Sequence, residues 1–258
     1  MKFRVQTNYE ELSLAIRVTT RMPTKVFIKV YDQERPKIVL TDRYKTIRGT
    51  ETFYVRMPLT GKTSIVEVTD EFEKNMGKES NNINVESIEK YPLEKQSLRN
   101  YTASTFSFID FAQRFSFNAP YLTPDKTYRS NDGYFMIEYF TKITDGQREL
   151  TTPARISKKT GIIQVSKNLF DSYTVPMRVA ILLHEYSHFN LNSNINDEIE
   201  ADLNGLTIYL SLGYPRIEGY QAFLEVFKDS PSKQNKNRYD VINNFIKDFE
   251  TKRINKTL

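Results

Sequence analysis

The stretch ILLHEYSHFN, residues 181–190, carries both histidines of the 258-residue chain, four positions apart, with Glu185 directly after the first. In a helix, positions i and i+4 share a face, so His184 and His188 can present two ring nitrogens to one ion. Glu185 is turned by about 100° from His184 and stands beside such an ion rather than on it. That is the place for a general base acting on a water polarised by a metal. Upstream, Pro176 suits the first helical turn, Thr174 suits the cap, and MRVAILLHEYSHF contains no helix breaker. The apolar run VAILL before the motif predicts a helix buried on several sides. Burying two imidazoles and a carboxylate is costly without partners. Two core histidines bonded to backbone carbonyls are the bland alternative; the spacing favours a metal.

A catalytic zinc takes three protein ligands and leaves one position for water. With no third histidine in the chain, the remaining ligand must be a carboxylate, and NDEIEADLNG, residues 196–205, follows at once. Glu198 and Asp202 stand i and i+4 on the next predicted helix, with Ala201 small enough for close helix packing. Asp197 and Glu200 point elsewhere on it. Alone, this stretch reads as a solvated acidic helix start that complements the macrodipole. Beside the histidine pair it reads as the source of the third ligand in a two-histidine, one-glutamate zinc site.

HEYSH followed by EIEADLNGLTIYLSLGYP resembles the gluzincin metallopeptidases, and within them the M48-like group. The resemblance covers about residues 150–250 and includes GIIQVSKNLF, which is similar to that group's strand before the active-site helix. It implies a zincin-like fold, with Glu198 as third zinc ligand and Asp202 as the acid that orients a ligand imidazole. The pattern departs from the group in three places. Only nine residues separate His188 from Glu198, which leaves little room for an inserted lid. Asn190 stands where an apolar residue is usual. The group's later histidine has no counterpart, although SPSKQNKNRYDVI retains Pro231 and Arg238. Arg238, Tyr209 and Tyr214 are the candidates to stabilise a tetrahedral intermediate in its place. A peptide substrate is expected to add antiparallel to an edge strand around residues 162–166.

Outward from the motif, the first ~75 residues read as six short strands, KFRVQT, LSLAIRVTT, TKVFIKVYD, KIVLT, TFYVRMPL and SIVEVTD. Turn signals at Met22-Pro23, Arg35-Pro36, Arg48-Gly49 and Thr60-Gly61 separate several of them, which predicts a small antiparallel β-sandwich. The polar stretch EFEKNMGKESNNINVESIEK, residues 71–90, reads as the domain boundary, with a linker over 76–100. From residue 101 the pattern changes. STFSFIDFAQRFSF predicts a helix that uses Phe106, Ile109, Phe111 and Phe115; GYFMIEYFTKI predicts a strand; ARISKKTGIIQVSKNLF predicts a hairpin turning at Lys159-Thr160-Gly161. Two or three helices then fill residues 175–250. The order is α+β: a zincin-like domain over 101–258 preceded by a β domain over 1–75.

Composition narrows the function classes. Hydrophobic residues make up 39% and charged residues 27% of the chain, a globular balance with a net charge of +5. That mild charge is the whole case for nucleic-acid binding, which is the weakest reading. No apolar run is long enough to span a membrane, and the start shows no signal-peptide core. The absence of cysteine excludes thiolate ligands and cysteine nucleophiles and fits a cytoplasmic setting. The leading expectation is a zinc endopeptidase acting on a peptide or protein substrate. The alternative is a structural or assembly protein, for example virion-associated, that keeps the zincin fold and docks a partner through its β domain.

Overall fold

The computed structural model describes residues 1–77, 80–229 and 232–254. The chain divides into two compact units, Met1–Gln96 with Leu212–Pro215, and Ser97–Ser211 with Arg216–Leu258.

The first unit is built from β1 (Lys2–Gln6), β2 (Leu12–Asp32), β3 (Val39–Met57), β4 (Thr63–Asp70), the short α1 (Glu71–Met76) and β5 (Ile83–Pro92). Its strands form one antiparallel sheet in the order β1-β4-β2-β3, with β5 also on β2. Alternation supplies the core: Leu14, Ile16, Val18, Val26, Ile28 and Val30 of β2 are buried, as are Val66 and Val68 of β4. The two expected breaks at Met22-Pro23 and Arg48-Gly49 do not end strands. The first is a register shift between Thr20 and Thr24 inside β2, and the second is a positive φ of 76° at Gly49 inside β3. Such irregularities bend a ladder without dissolving it. Two long strands therefore replace four short ones, and the expected two-sheet sandwich is a single bent sheet. The N-terminal half of β2 pairs with β5 and its C-terminal half pairs with β4.

The expected linker over 76–100 is also corrected. Residues 83–92 are β5, whose polar composition reflects a largely exposed strand rather than an unstructured one. The unit boundary falls after Gln96.

The second unit runs α2 (Ala103–Asn118), β6 (Lys126–Arg129), β7 (Met136–Phe140), β8 (Thr144–Asp145), β9 (Arg148–Glu149), β10 (Ala154–Ile156), β11 (Ile163–Ser166), α3 (Lys167–Phe170), α4 (Val175–Asn190), α5 (Glu198–Ser211), α6 (Arg216–Asp229) and α7 (Lys233–Ile254). The architecture is α+β, and no described helix is long and apolar enough to cross a membrane. Its main sheet has the order β10-β11-β7-β6, with β11 parallel to β7 and the other pairs antiparallel. The hairpin joining β10 to β11 turns where expected, and Gly161, at φ 70°, supplies the left-handed residue there. Because β11 is paired on both sides, the free edge belongs to β10 and not to residues 162–166. In α2 the buried aromatic positions are Phe108, Phe111, Phe115 and Phe117; Phe106 is exposed.

Helix α4 is the axis of this unit. Thr174 caps it by accepting from the Met177 N–H, and every residue from Val175 to His188 is buried. Each fully buried Val, Leu or Ile in it contributes roughly 1.5–3 kcal/mol. Arg178 fixes its start. The guanidinium is fully buried and donates to the carbonyls of Phe170 at 2.7 Å and Ser116 at 3.0 Å, at the C-terminal ends of α3 and α2. Negative carbonyl ends of two helices thus meet one cation.

The corrected boundary makes a direct prediction. A fragment of residues 1–96 should give a β-type circular dichroism spectrum and a cooperative melt. A fragment of residues 1–75 should show neither, because it strips β5 from the N-terminal half of β2.

Candidate metal centre

Helix α4 brings His184, Glu185 and His188 to the wall of a cavity of about 230 Å³ that is also lined by Glu198 and Arg238. The ligand atoms of His184, His188 and Glu198 all lie within 4.8 Å of one another, a group able to hold a metal ion. His184 Nε2 and His188 Nε2 are 3.1 Å apart; Glu198 Oε2 is 3.5 Å from the first, and Glu198 Oε1 is 3.6 Å from the second.

The other ring nitrogen of each histidine fixes what these atoms offer. His188 Nδ1 is 3.0 Å from the Ile195 carbonyl, which can only accept, so Nδ1 carries the proton. His184 Nδ1 makes a short but bent contact of 2.9 Å with Asp202 Oδ1, again an acceptor. With each Nδ1 facing an acceptor, the two Nε2 atoms turn toward the same point. Nitrogens this close need a cation between them: the proton that His184 retains, or a metal ion that displaces it. Asp202, which faces His184, is 1% exposed.

Helix α5 places both acids. Asp197 caps it by accepting from the Glu200 N–H at 3.0 Å. Glu200 is turned away and holds the preceding loop through the Ser193 and Asn194 N–H groups. Glu198 and Asp202 stand one turn apart on the face toward α4. The close packing rests on Gly205 as well as on the buried Ala201: a Cβ on Gly205 would lie 2.9 Å from the His184 backbone nitrogen and 3.1 Å from its Cα. Gly205 was not legible as a site residue, although it stands three residues after Asp202, on the same helix face.

Arg238 of α7 is in the site, but it is committed to the acids. Its Nε and Nη2 donate to Asp202 Oδ2 and Oδ1 at 2.8 and 2.9 Å, and Nη1 is 3.2 Å from Glu198 Oε2. This two-pronged pair clamps the carboxylate that orients His184. Arg238 thus helps to build the site, and it also lines the cavity. Tyr209 is fully buried behind Gly219, and Tyr214 lies buried in the segment that groups with the first unit. Neither lines the cavity. Pro231 lies outside the described residues.

Charge distribution follows from this geometry. Burial disfavours the charged form of His184, but Asp202 and Glu198 outweigh it and raise its pKa to about 10. Burial also disfavours ionised Glu198, yet its bonds to His184 and His188, with the charges of His184 and Arg238, hold it far below the usual carboxylate range. Glu185 moves the other way: burial raises its pKa, while both histidines and the Ile156 N–H oppose the rise. Three carboxylates, Glu185, Glu198 and Asp202, stand against one guanidinium. A divalent cation brings the set to neutrality.

Comparison with family models, with curated proteins and with solved structures finds no match.

Two outcomes are expected. Gly205→Ala gains about 1 kcal/mol of helix propensity, but its methyl meets backbone that cannot swing away. It should lower the melting temperature and weaken metal binding, read by calorimetry; unchanged affinity would mean that α4 and α5 are not held at this spacing. The second concerns pH. With the His184 pKa raised to about 10, the metal-free site carries a proton at neutral pH that an ion must displace. Apparent affinity should therefore fall by roughly tenfold for each pH unit below about 10, read by competition with a chelator.

Proposed function

We propose that this protein is a zinc-dependent endopeptidase, as its resemblance to the gluzincins implies. The observation that carries the reading is the convergence of His184 Nε2, His188 Nε2 and Glu198 on one point beside a cavity. Their separations of 3.1, 3.5 and 3.6 Å bracket the ~3.3 Å expected between donors of a tetrahedral site with bonds of about 2.0–2.1 Å. Two imidazoles and one carboxylate bordering open space match a catalytic zinc site rather than a closed structural one.

When bound, zinc supplies Lewis acidity that polarises a peptide carbonyl and brings the pKa of water toward about 7. Glu185 supplies the base. It lies beside the three ligands without being one of them, and its raised pKa suits a group that must both take and give a proton. Its carboxylate takes the proton of the attacking water and delivers it to the nitrogen of the leaving amine as the peptide bond breaks. The Ile156 N–H holds that carboxylate. Asp202 and Arg238 keep His184 in the tautomer that points Nε2 inward.

The substrate lies along β10. In the antiparallel β10–β11 pair, Pro153 and Ser157 bond inward to β11, so alternation turns the N–H and C=O of Ala154 and the C=O of Ile156 outward, while the outward Ile156 N–H is taken by Glu185. An extended peptide can add there as the next strand. Residues 154–156 also line the cavity, which sets the added strand beside Glu185.

The purified protein should take up about one zinc per chain, and Glu185→Gln should keep that zinc and the fold. Cleavage of an unfolded protein such as casein should fall by a factor on the order of 10² or more in that variant. Wild-type protein that is fully zinc-loaded yet cleaves nothing would make the metal structural and the peptidase reading wrong.

A further inference from the structure

The edge that receives the peptide is not neutral. Across the sheet, the registers Thr127–Glu138, Glu138–Gln164 and Gln164–Arg155 place four residues in one row, and side chains in such a row share a face. The row is wired. Gln164 Nε2 donates to Glu138 Oε2 at 2.9 Å, and Arg155 Nε donates to Gln164 Oε1 at 2.7 Å. The carboxylate at one end orients the amide, and the amide oxygen anchors the guanidinium at the other end. Arg155 is thereby held on the outermost strand, half-buried and lining the cavity. Its Nη2 donates to the Thr144 carbonyl, at 3.4 Å. Lys158, at the hairpin turn, also lines the cavity and donates to Asn196 Oδ1 at 2.8 Å. Neither cation pairs with a carboxylate among the described residues. Every other charged side chain lining the cavity belongs to the metal cluster described above.

We propose that Arg155 and Lys158 are specificity-determining residues that select extended peptides carrying an acidic side chain at the position paired with Arg155. The inference rests on the peptidase reading for its chemistry, and on the geometry of β10 for its recognition. A strand added to β10 extends the row by one place, so the residue opposite Arg155 falls on the same face as the guanidinium. A carboxylate there completes an alternation that runs from Glu138 through Gln164 to Arg155. A lysine there places two cations directly opposite, which is destabilising. Lys158 extends the same preference toward the hairpin end of the cavity. Arg155 is fixed by Gln164 before any peptide arrives, so little ordering cost falls on binding.

The test uses the full-length, zinc-loaded Glu185→Gln protein as a trap and a positional-scanning library of unstructured decapeptides as the probe. Bound peptides should be enriched in Asp or Glu at one position, with Asn in that place binding roughly three- to fivefold more weakly. Adding Arg155→Glu should reverse the preference toward Lys or Arg, with zinc content and circular dichroism unchanged. Should that variant misfold, Lys158→Glu, on an exposed turn, should still weaken the acidic preference. No bound peptides, no acidic enrichment, or enrichment that survives both reversals would overturn the proposal. The same library given to wild-type protein separates the two readings. Cleavage without acidic preference overturns the specificity and keeps the peptidase; acidic binding without cleavage does the reverse.

Discussion

Two imidazole nitrogens 3.1 Å apart, each with its other nitrogen tied to an acceptor, are the constraint around which the second unit is arranged. Nitrogens this close need a cation between them, either a proton or a metal ion. The surrounding residues make sense as answers to that requirement. Asp202 and the Ile195 carbonyl hold the rings inward, Glu198 brings negative charge, and Arg238 keeps the two acids from repelling each other. What these residues leave unbalanced is a positive charge at the centre.

The same constraint sets the backbone. For Glu198 to reach both rings, α5 must lie almost in contact with α4, and the glycine at 205 is what lets it. The loop of residues 191–197 is short, and it is tied by Asn192 to the Asp197 carbonyl and by Glu200 to Ser193. It therefore delivers Glu198 at a fixed place, and it also supplies the Ile195 carbonyl. Economy of this kind explains how a third ligand can follow the second histidine so closely.

Much of this was legible from residue spacing alone. The i, i+4 histidines, the cap at Thr174, the apolar run before His184 and the acids at 198 and 202 are local patterns of a helix, and helices preserve local patterns. The choice of Glu198 over Glu200 came from the resemblance, and the loop bonds of Glu200 agree with it. Tertiary facts were not legible. Arg238 was visible as a cation but not as the clamp on Asp202, because the pair lies 36 positions apart. The free edge moved from residues 162–166 to β10, since pairing order cannot be read from a hairpin by itself. In the first unit, bulges within β2 and β3 carry turn-like residues, which cut two long strands into four on paper.

The central claim is a metal ion held by His184, His188 and Glu198. Anomalous diffraction at the zinc edge, from crystals of the full chain grown with zinc and without chelator, tests it most directly. The account predicts one strong peak per chain, about 2.0–2.1 Å from both Nε2 atoms and from a Glu198 oxygen. No peak there, with the two rings turned apart or bridged by a proton alone, would contradict it.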